Sequence, residues 1–161
     1  MNIFITPILI LFLLVLLFST VFIVKQQSAA IIERFGKFNS VRGPGIQVKI
    51  PIVDRISGRL SLKILQLDVV VETMTSDDVF VKLKVSVQYR VVEENVFDAF
   101  YKLDYPQDQI TSYVFDLIRS QVPKMKLDDV FSKQDDIAVA VKESLGAAMQ
   151  EYGYFIVKAL V

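Results

Sequence analysis

The first 24 residues constrain this chain more than any others, because none of them carries a charged side chain. Within them Ile3–Val24 (IFITPILILFLLVLLFSTVFIV) is interrupted only by Thr6, Pro7, Ser19 and Thr20. As one helix this run would be roughly 33 Å long at ~1.5 Å per residue, enough to cross a hydrocarbon core of ~30 Å. The run predicts a transmembrane helix occupying residues 1–25, with Ile3, Leu9, Leu13, Leu17 and Val24 among its membrane-spanning side chains. A cleaved signal peptide fits less well. Ser28-Ala29-Ala30 loosely resembles a cleavage site, but the run exceeds the usual ~7–15 apolar residues and no basic residue precedes it. A buried core helix fits least, since such helices seldom run this far without a charge.

All 18 basic and 18 acidic side chains therefore lie after Val24, and they are segregated. Residues 25–63 hold eight basic and two acidic side chains, a net of +6; residues 64–161 hold ten basic and sixteen acidic, a net of −6. A basic segment tethered at an anionic leaflet gains about 1 kcal/mol per Lys or Arg that reaches the surface. Lys25, Arg34, Lys37, Arg42 and Lys49 are the candidate membrane-surface residues. The excess of basic residues just after the run also places the following domain on the cytoplasmic side of a cell membrane, as a single-pass protein.

The missing residue types narrow the chemistry. The chain has no His and no Cys, which removes Cys/His zinc sites, the usual haem ligands, disulfides and His-dependent nucleophiles. A net charge of zero gives no general attraction to nucleic acid. The acidic pairs Asp77-Asp78, Asp128-Asp129 and Asp135-Asp136 are better explained by a turn and by helix starts than by a divalent cation. Ser132-Lys133 and Ser57 with Lys63 sit in no recognisable Ser-Lys motif. Gly43-Pro44-Gly45 lacks the lysine and spacing of a phosphate loop. The expectation is a protein with no enzymatic activity, no metal and no cofactor.

Beyond the apolar run the pattern reads as strands, then helices, then a strand. Ala29–Phe35 has strand character and ends at Gly36. Gly43-Pro44-Gly45 signals a turn. Ile46, Val48 and Ile50 alternate with Gln47 and Lys49 as a short half-buried strand closed by Pro51. Leu60, Leu62 and Ile64 lie on one phase, and Leu65, Leu67, Val69 and Val71 on the other, which predicts a β-bulge near Ile64-Leu65. Seven apolar residues from Val79 to Val91 alternate with polar ones, as in an antiparallel strand with one wet face. Helical spacing follows: a short helix after Asn95, a second from near Pro106 to Pro123, and a third capped by Ser132 with Asp135 and closed by Gly153. Tyr154–Val161 reads as a last strand. This order indicates an α+β domain with helices on one side of a mostly antiparallel sheet.

Several runs carry a family resemblance. Ile32-Glu33-Arg34-Phe35-Gly36-Lys37-Phe38, Pro44-Gly45-Ile46, Ile50-Pro51 and Asp54-Arg55 resemble the opening signature of the SPFH, or band 7, family of stomatins, prohibitins, flotillins and HflK/HflC proteins. Gln66–Val69, Asp98–Leu103, Tyr113–Arg119, Val122-Pro123-Lys124, Leu127–Phe131 and Tyr152-Gly153-Tyr154 are similar to plant hypersensitive-induced-reaction proteins and their bacterial relatives. The resemblance covers residues 29–161 and implies an SPFH domain over 26–161, with Gly43, Pro44, Gly45 and Pro51 as framework turn residues. It also implies a membrane scaffold that forms large homo-oligomers, organises microdomains and regulates membrane proteases or channels. Its partners would be the lipid bilayer, further copies of itself and such a protease or channel. The chain departs from the pattern in three ways. Asn2 stands where N-myristoylation needs Gly, and no Cys is present for palmitoylation, so the apolar run must anchor alone. The usual coiled coil is also missing, since the chain stops at Val161 inside an apolar strand, and truncation is the expectation. The alternative function is a dedicated regulatory subunit of one membrane protease or channel, docked through the acidic distal part.

Overall fold

The apolar run does not continue as one helix. The structure, a computed structural model, describes residues 5–161. Helix α1 covers Ile5–Thr20 and is followed at once by strand β1, Val21–Val24. The expected helix through Val24 thus gives way at Val21, and its described part is 16 residues, about 24 Å long. Among the described residues no helix is long and apolar enough to cross a membrane. Two local causes end α1. The Thr20 hydroxyl donates back to the Leu16 carbonyl at 2.8 Å, and the residues that follow are mostly β-branched or aromatic, types that favour extended backbone.

The chain divides between Leu62 and Lys63 into two units. In the N-terminal unit β1 pairs antiparallel with β4 (Gly45–Val48) as a two-stranded ribbon. A separate antiparallel sheet has the order β3 (Lys37–Arg42), β2 (Ser28–Arg34), β5 (Asp54–Ser61). Its central strand places Ala29, Ala30, Ile31 and Ile32 in succession inside the unit's core. Four buried residues in a row mean both faces are covered. Phe35 and Gly36 turn β2 into β3 with φ of 50° and 77°, the positive pair a two-residue hairpin requires.

The C-terminal unit has an antiparallel sheet in the order β6 (Leu65–Met74), β7 (Phe80–Val91), β8 (Tyr154–Leu160). Along β7 the residues Leu83, Val85, Val87, Tyr89 and Val91 are buried, as the alternation predicts. Val79 lies outside the strand and is exposed. Four helices follow β7: α2 (Val96–Tyr101), α3 (Pro106–Gln121), α4 (Leu127–Ser132) and α5 (Gln134–Gln150). Ile110, Val114 and Ile118 of α3 and Ile137, Val141, Leu145 and Met149 of α5 are their buried stripes.

The α+β reading holds, with three sheets among the described residues in place of one. The expected bulge near Ile64-Leu65 is instead the break between β5 and β6, which belong to different sheets. Val69 and Val71 of the second phase are buried under the C-terminal sheet, whereas Leu60 and Leu62 of the first are half-buried and Ile64 is exposed. Ser132 does not cap α5; its hydroxyl donates to the Asp129 carbonyl at 3.3 Å, and Lys133 takes the cap position.

Candidate functional site

The ribbon of the N-terminal unit presents an unusual surface. Its register pairs Val21 with Val48 and Ile23 with Ile46, and directly opposed residues of an antiparallel pair share a face. That face is apolar and open: Val21 is 50% exposed, Ile23 66%, Ile46 75% and Val48 59%. Val24, on the other phase, is 2% exposed. The half-buried strand expected from Ile46, Val48 and Ile50 therefore forms with the opposite facing. Its large aliphatics point outward, and Gln47 turns in to donate to the Gly43 carbonyl at 3.2 Å. The ladder runs on into the helix, since the Lys49 amide donates to the Thr20 carbonyl at 2.8 Å.

Helix α1 shares this character. Ile10, Leu11, Leu13, Leu14, Val15, Leu17 and Phe18 are exposed, and no side of the helix carries a charged residue. A helix apolar on every side suits an apolar solvent, because no single protein face can cover it. Leu9, Leu13 and Leu17 belong to α1, Val24 is a buried strand residue, and Ile3 lies outside the described residues.

The loop after β4 is held by a carboxylate clamp. Asp54 is nearly buried and receives Arg34 through Nε at 2.7 Å and Nη2 at 3.2 Å. The Ile50 amide donates to the same carboxylate at 2.9 Å, and the Asp54 amide donates to the Ile50 carbonyl at 2.9 Å. The Arg34 hydrogen bond, then the Ile50 amide and the charges of Arg34 and Arg42, hold the Asp54 carboxyl below its usual range. Inside this closed loop Ile52 sits at φ 74° and is 91% exposed. A β-branched residue at positive φ is strained by about 1–3 kcal/mol. Pro51 precedes it in the turn. The Phe35 amide, from the hairpin turn with its own exposed aromatic ring, donates to the Val53 carbonyl at 3.5 Å.

The predicted basic residues fall around these features. Lys25 follows β1, Lys49 follows β4, Lys37 opens β3 and Arg42 closes it. Lys25 and Lys37 are exposed, Lys49 and Arg42 half-buried, and Arg34 is committed to Asp54. Gly45, at φ 112°, opens β4 opposite Val24, while Gly43 and Pro44 lie in the link before it.

The candidate chemical residues are occupied structurally. The Asp77 carboxylate accepts from the Thr75 hydroxyl at 2.6 Å and from the Leu127 amide at 3.2 Å, so it caps α4 from a distant turn. Asp128 and Asp129 lie in the first turn of α4, and Asp135 and Asp136 in that of α5. The Ser57 hydroxyl donates to Glu33 at 2.8 Å, and Lys133 pairs with Asp129 at 3.1 Å. Sequence reasoning missed the outward ribbon and the Asp54 clamp. The alternation at Ile46–Ile50 was visible, but alternation alone does not say which phase is wet.

The architecture is an α+β module in two units, each built on antiparallel strands. Residues 22–161 match the SPFH domain / Band 7 family. The chain is 43% identical over 134 residues, 83% of its length, to hypersensitive-induced response protein 4 of Arabidopsis thaliana, covering 46% of that protein. It is 31% identical over 154 residues, 94% of its length, to a stomatin homolog of Pyrococcus horikoshii, covering 56% of it. It is 27% identical over 136 residues, 84% of its length, to human mitochondrial stomatin-like protein 2, covering 38%. The chain belongs to the SPFH, or band 7, family. It spans about half the length or less of the relatives it matches.

Proposed function

We propose that this chain is a membrane-attached scaffold that oligomerises and gathers lipids or membrane-protein partners, and that it performs no catalysis. The observation that carries the membrane half of this reading is the apolar ribbon face, Val21, Ile23, Ile46 and Val48, continuous in the chain with an apolar helix. In water such a surface exposes aliphatic area whose burial is favourable by ~25 cal/mol per Å². Embedding α1 in the apolar layer, with the ribbon at its boundary, removes that area from water. Lys25 and Lys49, one residue beyond each ribbon strand, then stand at headgroup depth, where cations meet anionic lipid.

The test is co-flotation with vesicles, together with light-scattering mass in mild detergent. The protein is expected to float with vesicles, more completely when they carry anionic lipid, and to run as a multi-protomer assembly. Failure to float, or a strictly monomeric mass, contradicts the corresponding half of the proposal. The net −6 of residues 64–161 favours a second role, that of a regulatory subunit docking a basic surface of a membrane protease or channel. Such docking weakens as salt screens it. Pull-downs that recover no stoichiometric partner at low salt would count against it.

A further inference from the structure

The two outer strands of the C-terminal sheet differ from each other in a way that bears on assembly. In the order β6–β7–β8 each outer strand keeps one edge with no strand beside it among the described residues. A free edge is a template for another strand, and proteins usually blunt it with lysine, proline, a bulge or short length. β6 uses none of these. Its ten residues hold no proline and no basic side chain, and they pair with β7 without a register break. Between α5 and β8 run two hollows of about 420 and 580 Å³ that share Lys142. Ala138, Gly146 and Ala147 keep that groove shallow-walled and open on the helix side.

We propose that β8 of one copy takes β6 of a second copy as its next strand, so that the sheet continues from protomer to protomer. This inference rests on the oligomeric reading above and assigns it a surface. Three observations select the second copy's β6 as the occupant. First, β6 and β8 both run antiparallel to β7 and hence parallel to each other. A copy carried across by a translation with a modest rotation therefore lays its β6 parallel to β8. Second, β6 carries Asp68 and Glu72 with no base, while β8 carries Lys158 with no acid. Pairing like edges would oppose acid to acid or lysine to lysine, which destabilises a sheet. Asp68 and Glu72 already hold Lys84 and Lys82 of β7 at 2.8 and 2.9 Å. A neighbour's Lys158 completes a row of alternating charge across the seam. Third, Val70 and Met74 on β6 and Phe155 and Leu160 on β8 are exposed aliphatic and aromatic groups that this pairing covers. A contact between unlike edges repeats, giving a closed ring or an open chain.

The absence of cysteine makes the test clean. Val70→Cys and Val157→Cys variants are prepared separately, mixed, assembled on vesicles and treated with a short bis-maleimide, with mass measured in parallel. Crosslinked dimers are expected from the mixture and only background from either variant alone. A chain carrying both cysteines should give a ladder of higher species. Efficient crosslinking of either single variant alone means like edges pair and overturns the proposal. Assemblies by light scattering without crosslinks overturn this seam and leave the oligomeric reading standing. Monomers throughout overturn both. Lys158→Glu, introduced beside Val157→Cys, should lower the crosslinked yield several-fold without shifting thermal unfolding. An unchanged yield contradicts the charge argument.

Discussion

Ile52 concentrates the trade between stability and function in one side chain. It keeps a bulky aliphatic group in solvent and a strained backbone at positive φ, where glycine would rest without penalty. The Asp54 clamp on either side of it makes that geometry tolerable. Ile52→Gly is expected to change stability little or raise it by up to about 1 kcal/mol, because relief of strain is offset by glycine's unfolded-state entropy. The same variant should bind vesicles more weakly. Parallel melting and flotation measurements check this, and undiminished flotation would remove Ile52 from the membrane surface. Gly153 is the opposite case. At φ 79° a Cβ would lie 2.5 Å from the Asn95 carbonyl oxygen, while one at Gly146 would meet nothing within 4 Å. Gly153→Ala should destabilise by ~1–3 kcal/mol, and Gly146→Ala, inside a helix, should be neutral or stabilising by ~0.5–1 kcal/mol. Equal melting shifts for the two would contradict the turn geometry. Asp68 adds a pH dependence. Hydrogen bonds from Lys84, Gln66 and Ser86 lower its carboxyl from 3.8 to about 2. A folded value below the unfolded one gives stability that is complete above the unfolded value and lost as pH falls from ~4 through ~2. Asp68→Asn should flatten that part of an acid-unfolding curve.

At the scale of elements, β7 is the best test of packing. Val85 is fully buried and Lys84 beside it faces solvent. Val85→Asp is expected to destabilise by several kcal/mol, about 3–5, by burying an unpaired charge. Lys84→Gln, which loses only the solvent-exposed pair with Asp68, should cost no more than about 1 kcal/mol. Calorimetry of the two variants checks the facing. This strand was legible in the sequence because one face meets a core and the other meets water, so period 2 is written out from Val81 to Val91. The helices α3 and α5 were legible for the same reason, in 3.6-residue spacing. The N-terminal elements were not. Val21–Val24 differs little from the helix before it in hydropathy, and only hydrogen bonding to β4 tells them apart. Ile46 and Val48 alternate as a strand should, yet the rule that apolar side chains face inward presumes water outside. On the proposed membrane reading, that presumption fails for this face. The supposed bulge at Ile64-Leu65 failed differently, because a phase change inside a strand and a boundary between two sheets leave the same trace.

For the whole molecule, the proposal assigns lipid contact to the N-terminal unit and protein contact to the C-terminal unit. The formal neutrality of the chain conceals a net of +6 over residues 25–63 and −6 over residues 64–161. In the proposed reading the apolar ribbon supplies the contact with the membrane. The most direct measurement uses the absence of tryptophan. Ile46→Trp places a single indole on the ribbon's outward face. On vesicles its emission should shift to the blue and be quenched by lipids brominated near the headgroup end of the acyl chains. Water-like emission without bromolipid quenching, from protein that has floated with the vesicles, would contradict the claim that this face lies in the bilayer.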